Sequence, residues 1–201
     1  MIKHRQQFFI NAYILINVMI ILNAGFMMPL WSDFVTHIGG DIRTAGNAVL
    51  IFSIIIGGMT CFAGAIESHF NKDRFFMIGS QAVMCVGYIA YFYVQHPYQL
   101  YMVQIILGVG GAFQSPVICS LYQRCIPQHK SSHYWGIWNG LYQAGIGLGA
   151  LAGAYIVHHA GYRMMFSAMF GVSLVCLGFV VFVMQHYVKT TSGDVVSYEA
   201  V

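Results

Sequence analysis

Six apolar stretches of about twenty residues each fill nearly the whole chain, and that is the length one helix needs to cross the hydrocarbon core of a bilayer. They cover residues 8–31, 45–66, 75–95, 100–121, 135–157 and 164–186. Charged residues make up 7% of the sequence against 58% hydrophobic, whereas soluble domains carry roughly 25% charge. Inside a bilayer no water is present to pair backbone N–H and C=O groups, so each stretch is expected to be a helix. An all-α integral membrane protein with six transmembrane helices follows. Residues 1–7 form a basic N-terminal flank and 187–201 a polar tail to which no activity is assigned. The first stretch exceeds the apolar core of a secretory signal, so it is expected to stay as an uncleaved first span.

Basic residues set the orientation, because Lys and Arg accumulate in cytoplasmic loops. Lys3, Arg5, Lys72, Arg74, Arg124, Lys130 and Lys189 fall on one side of the six spans, and only Arg43 and Arg163 on the other. Both termini are therefore expected in the cytoplasm, with the protein in the cytoplasmic (inner) membrane. Two copies inserted the same way round can associate only about an axis along the membrane normal.

The fifth stretch, Trp135 to Val157, is studded with glycine. Gly136, Gly140 and Ala144 form one row at four-residue spacing, and Gly145, Gly149 and Gly153 form another. Rows of this kind let helix backbones approach closely in lipid. They suit contact within one copy and contact between two copies equally well. The third stretch ends with Tyr88, Tyr91 and Tyr93, expected as an interfacial aromatic belt. A faint internal repeat pairs GFMMP (Gly25–Pro29) with AFQSP (Ala112–Pro116). Each is followed by a glycine-bearing helix and then a third helix, so the six spans are expected as a 3+3 inverted repeat.

Titratable chemistry is scarce. No Asp, Glu, Lys or Arg lies clearly inside a span, which disfavours coupling through a buried carboxylate. The five cysteines show no CxxC pair and read as small core residues. His129 and His133 have helical metal-pair spacing, and His158 and His159 are adjacent, but neither group has the further ligands a metal site requires. No metal site, cofactor, nucleic-acid partner or catalytic constellation is expected, and the chain is not expected to be an enzyme. The neutral amides that remain for solute contact are Asn17 and Asn23, Gln104 and Gln114, and Asn139 and Gln143, together with Tyr142. Asn139 and Gln143 share a helix face. Gln104, Gly108, Gly111 and Ser115 fall near another, which leaves room beside a polar group. For each amide alone, interhelical hydrogen bonding is the competing role.

The glycine-rich stretch resembles the antiporter signature of the major facilitator superfamily, in which glycines separated by eight and then three residues precede a Gly-Pro step and a closing glycine pair. Gly136, Gly145, Gly149 and Gly153 fill the pattern, while Ala150 stands for the proline and Ala154 for the last glycine. The turn GAIESHFNKDRFFMIG is similar to the family's cytoplasmic gating loop: Gly64 matches, Ser68 replaces the expected aspartate, Glu67 lies one residue early, and Lys72 and Arg74 supply the basic positions. The stretch LYMVQIILGVGGA resembles a third motif, with Gln104 in place of its arginine. AGYRMMF is similar to the family's usual lead into the sixth helix. Together these cover residues 8–186, the extent of one six-helix half of a family member.

The resemblance implies a half-size secondary transporter of a small organic solute that works by alternating access. It also implies that Glu67 latches the opposing half near a helix N-terminus; the alternative for Glu67 is a surface carboxylate paired with Lys72 or Arg74. A homodimer of six-helix halves is the simplest working unit, so the expected partners are the lipid bilayer, a second copy and an unidentified solute. The alternative is a non-transporting six-helix module that binds or stabilises another membrane protein.

Overall fold

The structure is a computed structural model; it describes residues 2–70 and 72–193, with side chains from 4 to 66 and from 72 to 186. Among the described residues the fold is wholly helical. Helix α1 (Ile2–Met27) is followed by the short α2 (Trp31–His37), which occupies part of the segment expected as a plain loop. Then come α3 (Ile42–Phe70), α4 (Asp73–Ala90) with a 3-10 turn at Tyr91–Tyr93, α5 (Pro97–Cys125), and α6 (Ser131–Gly193).

Helix starts follow local chemistry. Before α3, Asp41 Oδ1 accepts hydrogen bonds from the Thr44 N–H and hydroxyl, both at 2.8 Å. These two bonds hold the Asp41 carboxyl below the usual carboxylate range. Before α5, His96 and Gln99 form a reciprocal capping box: the backbone N–H groups of Gln95 and His96 donate to Gln99 Oε1 at 2.7 and 3.1 Å, and Pro97 takes a first-turn position.

Among the described residues, five helices are long and apolar enough to cross a membrane. The last, counted from Gln128 to His186, has 59 residues, about twice what one crossing needs. Gly161 resolves the excess. Its φ of 77° and ψ of 175° break the helix in a region of backbone space open almost only to glycine. Trp138 near the start of α6 and Val183 and Met184 near its end share one core cluster, while Ile156, Met165 and Phe166 belong to another. The chain therefore doubles back at Gly161, giving a glycine-rich segment (131–160) and a C-terminal segment (162–193).

The two clusters lie at opposite ends of the molecule. One joins Tyr13 and Ile16 of α1, Leu121 and Tyr122 of α5, and Trp138 and Met184 of α6. The other joins Phe26, Phe34, Tyr88, Tyr91, Leu100 and Phe166. Here the expected aromatic belt is corrected. Tyr88 and Tyr91 are core residues, and the Tyr91 ring stacks on Phe166 at 5.1 Å; only Tyr93 is exposed. Tyr88 and Tyr91, three residues apart, share the buried face, and Tyr93, two residues further on, lies about 200° around the helix and points out.

Helix α1 packs chiefly on α6, α3 on α5, and α4 on α5 and α6. The closest approach is between α1 and the glycine-rich segment. A Cβ placed on Gly25 would stand 2.5 Å from the Ile146 carbonyl oxygen and 3.0 Å from Gly149 Cα. One on Gly149 would overlap the Leu22 carbonyl, and one on Gly153 that of Phe26. Backbone meets backbone there, so the second glycine row packs within the chain. The first row does not: a Cβ at Gly136 or Gly140, and one at neighbouring Gly147, would meet nothing within 4 Å.

Candidate functional site

Contacts order one side of the molecule. Helix α3 packs on α5, α5 touches α1, and α1 carries the glycine-rich segment, so these four run side by side. The two flanking members are bare. In α3 only 6% of the apolar stretch is buried, against 33% to 50% in the other spans, and Gly46, Gly57, Gly58 and Gly64 all face open space. On the glycine-rich segment Leu151 and Tyr155 are exposed beyond Gly136, Gly140 and Gly147.

The candidate solute contacts divide by environment. Asn139 and Gln143 lie exposed on the bare face of the glycine-rich segment, and the Asn139 amide donates to the Trp135 carbonyl of its own helix at 3.0 Å. Tyr142, beside them, is half-buried. Asn17 and Asn23 on α1 are buried, and Asn17 Nδ2 and Asn23 Oδ1 have no hydrogen-bond partner. Leaving such atoms unpaired costs roughly 1–3 kcal/mol each, so both amides hold unused bonding capacity. Gln104 is buried, as is Tyr91. The room expected beside Gln104 is filled: a Cβ on Gly108 would press Ile55 Cγ2 at 2.9 Å, and one on Gly111 would press Ile56 Cδ1 at 2.9 Å. Those glycines seat α3.

Gln114 belongs to a buried network that joins three helices. Its Nε2 donates to Gln81 Oε1 at 2.5 Å, and Gln81 Nε2 donates to the Ser173 carbonyl and hydroxyl at 3.2 and 3.1 Å. Cys85 Sγ lies 3.1 Å from the same hydroxyl. Gln81 and Ser173 were not singled out from sequence, although each is a polar residue in an otherwise apolar stretch. Cys85, Cys125 and Cys176 are buried as expected of core cysteines, Cys119 is half-buried and Cys61 is exposed.

At one end of the bundle, polar contacts tie four helices together. Arg124 Nη1 donates to Asp73 Oδ2 at 2.7 Å, Trp135 Nε1 to Gln123 Oε1 at 2.8 Å, and Gln6 Nε2 to the Cys125 carbonyl at 2.8 Å. The loop residues expected to gate lie here. Gly64 faces open space and Lys72 and Arg74 are exposed, while the side chains of Glu67 and Ser68 fall outside the described residues. At the other end the Tyr162 hydroxyl donates to Asp33, linking the C-terminal segment to α2. Among the described residues no three His, Cys, Asp or Glu side chains gather as a metal set would.

The family model described as Major Facilitator Superfamily matches residues 13–195. The chain belongs to the major facilitator superfamily. That makes it an integral membrane protein of a transporter family, not an enzyme. Among curated relatives, it is 27% identical over 165 residues to the multidrug resistance protein MdtH of Klebsiella pneumoniae, covering 81% of this chain and 40% of that protein. To MdtG of the same species, also named a multidrug resistance protein, it is 28% identical over 166 residues, 79% of this chain and 39% of the relative. An uncharacterized MFS-type transporter, MJ1560 of Methanocaldococcus jannaschii, is 23% identical over 145 residues, 72% of this chain and 37% of its own length. The chain thus spans about two fifths of the length of the curated relatives it matches.

Proposed function

We propose that this chain is one six-helix half of a secondary transporter and that it moves a small organic solute by alternating access once a second six-helix unit covers its bare side. The observation that carries this reading is the open glycine face on both flanks, α3 and the glycine-rich segment, in a chain of the major facilitator superfamily. Counting the two segments of α6 separately gives six membrane crossings, which divide into a 3+3 inverted repeat with α1, α3 and α4 as the first unit. The simplest second unit is another copy, because two copies of fixed topology are related by an axis along the membrane normal, as parallel repeats are. Both termini then lie in the cytoplasm.

Asn139 and Gln143 would face the path between the two units, with Tyr142 beside them and the unused groups of Asn17 and Asn23 behind. Neutral amides suit an uncharged or zwitterionic solute. The names of MdtH and MdtG, multidrug resistance proteins, point to efflux of drug-like molecules as the first class to try. Gly64, Glu67, Ser68, Lys72 and Arg74 would form the cytoplasmic gate, and Glu67 would latch onto the Trp135 end of the partner's glycine-rich segment, where free N–H groups favour a carboxylate.

Mass measurement of the purified protein in native-like lipid tests the pairing, with a dimer expected and a strict monomer ruling it out. Proteoliposome uptake then tests the path: Asn139→Ala with Gln143→Ala is expected to lower uptake at least tenfold without loss of the dimer. Unchanged uptake would return both amides to structural roles. A second reading, a non-transporting module that binds another membrane protein, draws on the lack of charge in the spans; a dimer that moves no solute would favour it.

A further inference from the structure

Lys72, Asp73 and Arg74 are neighbours in sequence, but the fold separates them. Asp73 turns inward, with its side chain 12% exposed, and its Oδ2 takes the Arg124 guanidinium at 2.7 Å. Lys72 and Arg74 stay exposed, and no carboxylate among the described residues pairs with either. Both cations border an open groove of about 400 Å³ along the first turns of α4, lined also, among the described residues, by Phe75, Ile78 and Gly79. Phe75 is 72% exposed, and a Cβ on Gly79 would meet nothing within 4 Å, so the apolar end of the groove is open. The span runs from Asp73 to Tyr93, which puts the cations where headgroups lie and the apolar wall where hydrocarbon begins.

We infer that this groove seats an anionic phospholipid, its phosphate between Lys72 and Arg74 and one acyl chain along Phe75, Ile78 and Gly79. Each half of the site excludes an alternative. A soluble phosphate ion would use the two cations and leave the apolar wall in contact with nothing, and a zwitterionic lipid would bring its own cation next to the pair, offsetting its phosphate. Because Arg124 already neutralises Asp73, no carboxylate among the described residues opposes the lipid phosphate. Two cations near an anionic surface favour an acidic over a zwitterionic lipid by about tenfold or more. The site shares Lys72 and Arg74 with the cytoplasmic gate proposed above, and its test reads retained lipid and not uptake, so the two readings can fail separately.

Native mass spectrometry of the purified full-length protein, released from micelles that hold equal amounts of phosphatidylglycerol and phosphatidylcholine with matched chains, reads retained lipid directly. The wild type is expected to retain phosphatidylglycerol about tenfold over phosphatidylcholine. Lys72→Gln with Arg74→Gln is expected to abolish that preference. Gly79→Leu, which fills the groove but keeps both cations, is expected to abolish it as well, whereas Lys130→Gln, an exposed cation outside the groove, leaves it intact. Millimolar inorganic phosphate is expected not to displace the lipid. The assignment fails if either groove variant retains phosphatidylglycerol like the wild type, if Lys130→Gln loses it equally, or if inorganic phosphate displaces it. The charge variant and the groove-filling variant act by different routes on outward-facing positions, so either one, once shown to be folded by its helical circular dichroism, decides the question.

Discussion

The two faces of the glycine-rich segment use one residue type for opposite ends. On the face toward α1, Gly149 and Gly153 lie against the carbonyls of Leu22 and Phe26, and no side chain of any size fits. On the other face Gly136, Gly140 and Gly147 border nothing, and the glycines of α3 do the same at the far edge of that side. Glycine at four-residue spacing thus marks a backbone that can be approached; which approaches are taken depends on a helix more than a hundred residues away in sequence. The closed face is part of the fold of one chain, and the open faces are where something further can sit.

Substitution separates the two faces most sharply. Gly153→Leu is expected to destabilise the folded chain by about 3 kcal/mol or more, above the usual cost of overpacking because the obstacle is backbone and not a movable side chain. Gly140→Leu, on the open face, is expected to leave the thermal midpoint of the isolated unit within a degree or two while lowering dimer mass and uptake. Equal losses of stability at both positions would erase the distinction. Gly161→Ala should come next, at about 1–3 kcal/mol, since alanine pays for a positive φ that glycine adopts freely; denaturant titration in micelles measures it.

Smaller effects belong to the polar groups. Gln81→Leu alone strands the Gln114 amide and should cost about 1–2 kcal/mol, whereas Gln81→Leu with Gln114→Leu should cost less than the two single changes added together. The smallest concerns Asp41. Its carboxyl is depressed in the folded chain, so its contribution is present above the ordinary value of 3.8 and fades as pH falls through the lowered folded value. Amide hydrogen exchange at the start of α3 should therefore quicken in acid below about pH 4 in the wild type, after allowance for the intrinsic rate, and show no such step in Asp41→Asn.

Much of this was legible in the chain. Apolar length marked the helices, and the spacing of Gly136, Gly145, Gly149 and Gly153 carried the family, whereas the capping box at His96 and Gln99 that starts α5 at Pro97 was not read from the sequence. The gaps share one physical cause: which face of a helix meets which neighbour is a long-range property. Gln114 could be read as a solute ligand because Gln81 and Ser173 come from two other helices. Gly108 and Gly111 could be read as open space because the isoleucines that fill it sit on α3. Tyr88 and Tyr91 look like a surface belt until Phe34 and Phe166, from α2 and α6, close over their face. Asn139 and Gln143 do share an exposed face, because that depends only on helical periodicity.

Gly161 is a joint with no slack. A loop of several residues between two membrane helices would let each tilt independently, but here two dihedral angles alone set the direction of one long segment relative to the other. Tilting the glycine-rich segment, which bears the open face, must turn Gly161 or drag the C-terminal segment, and through Ser173 and Gln81 that pull reaches α4. Whatever docks on the open face is mechanically in touch with the opposite side of the bundle.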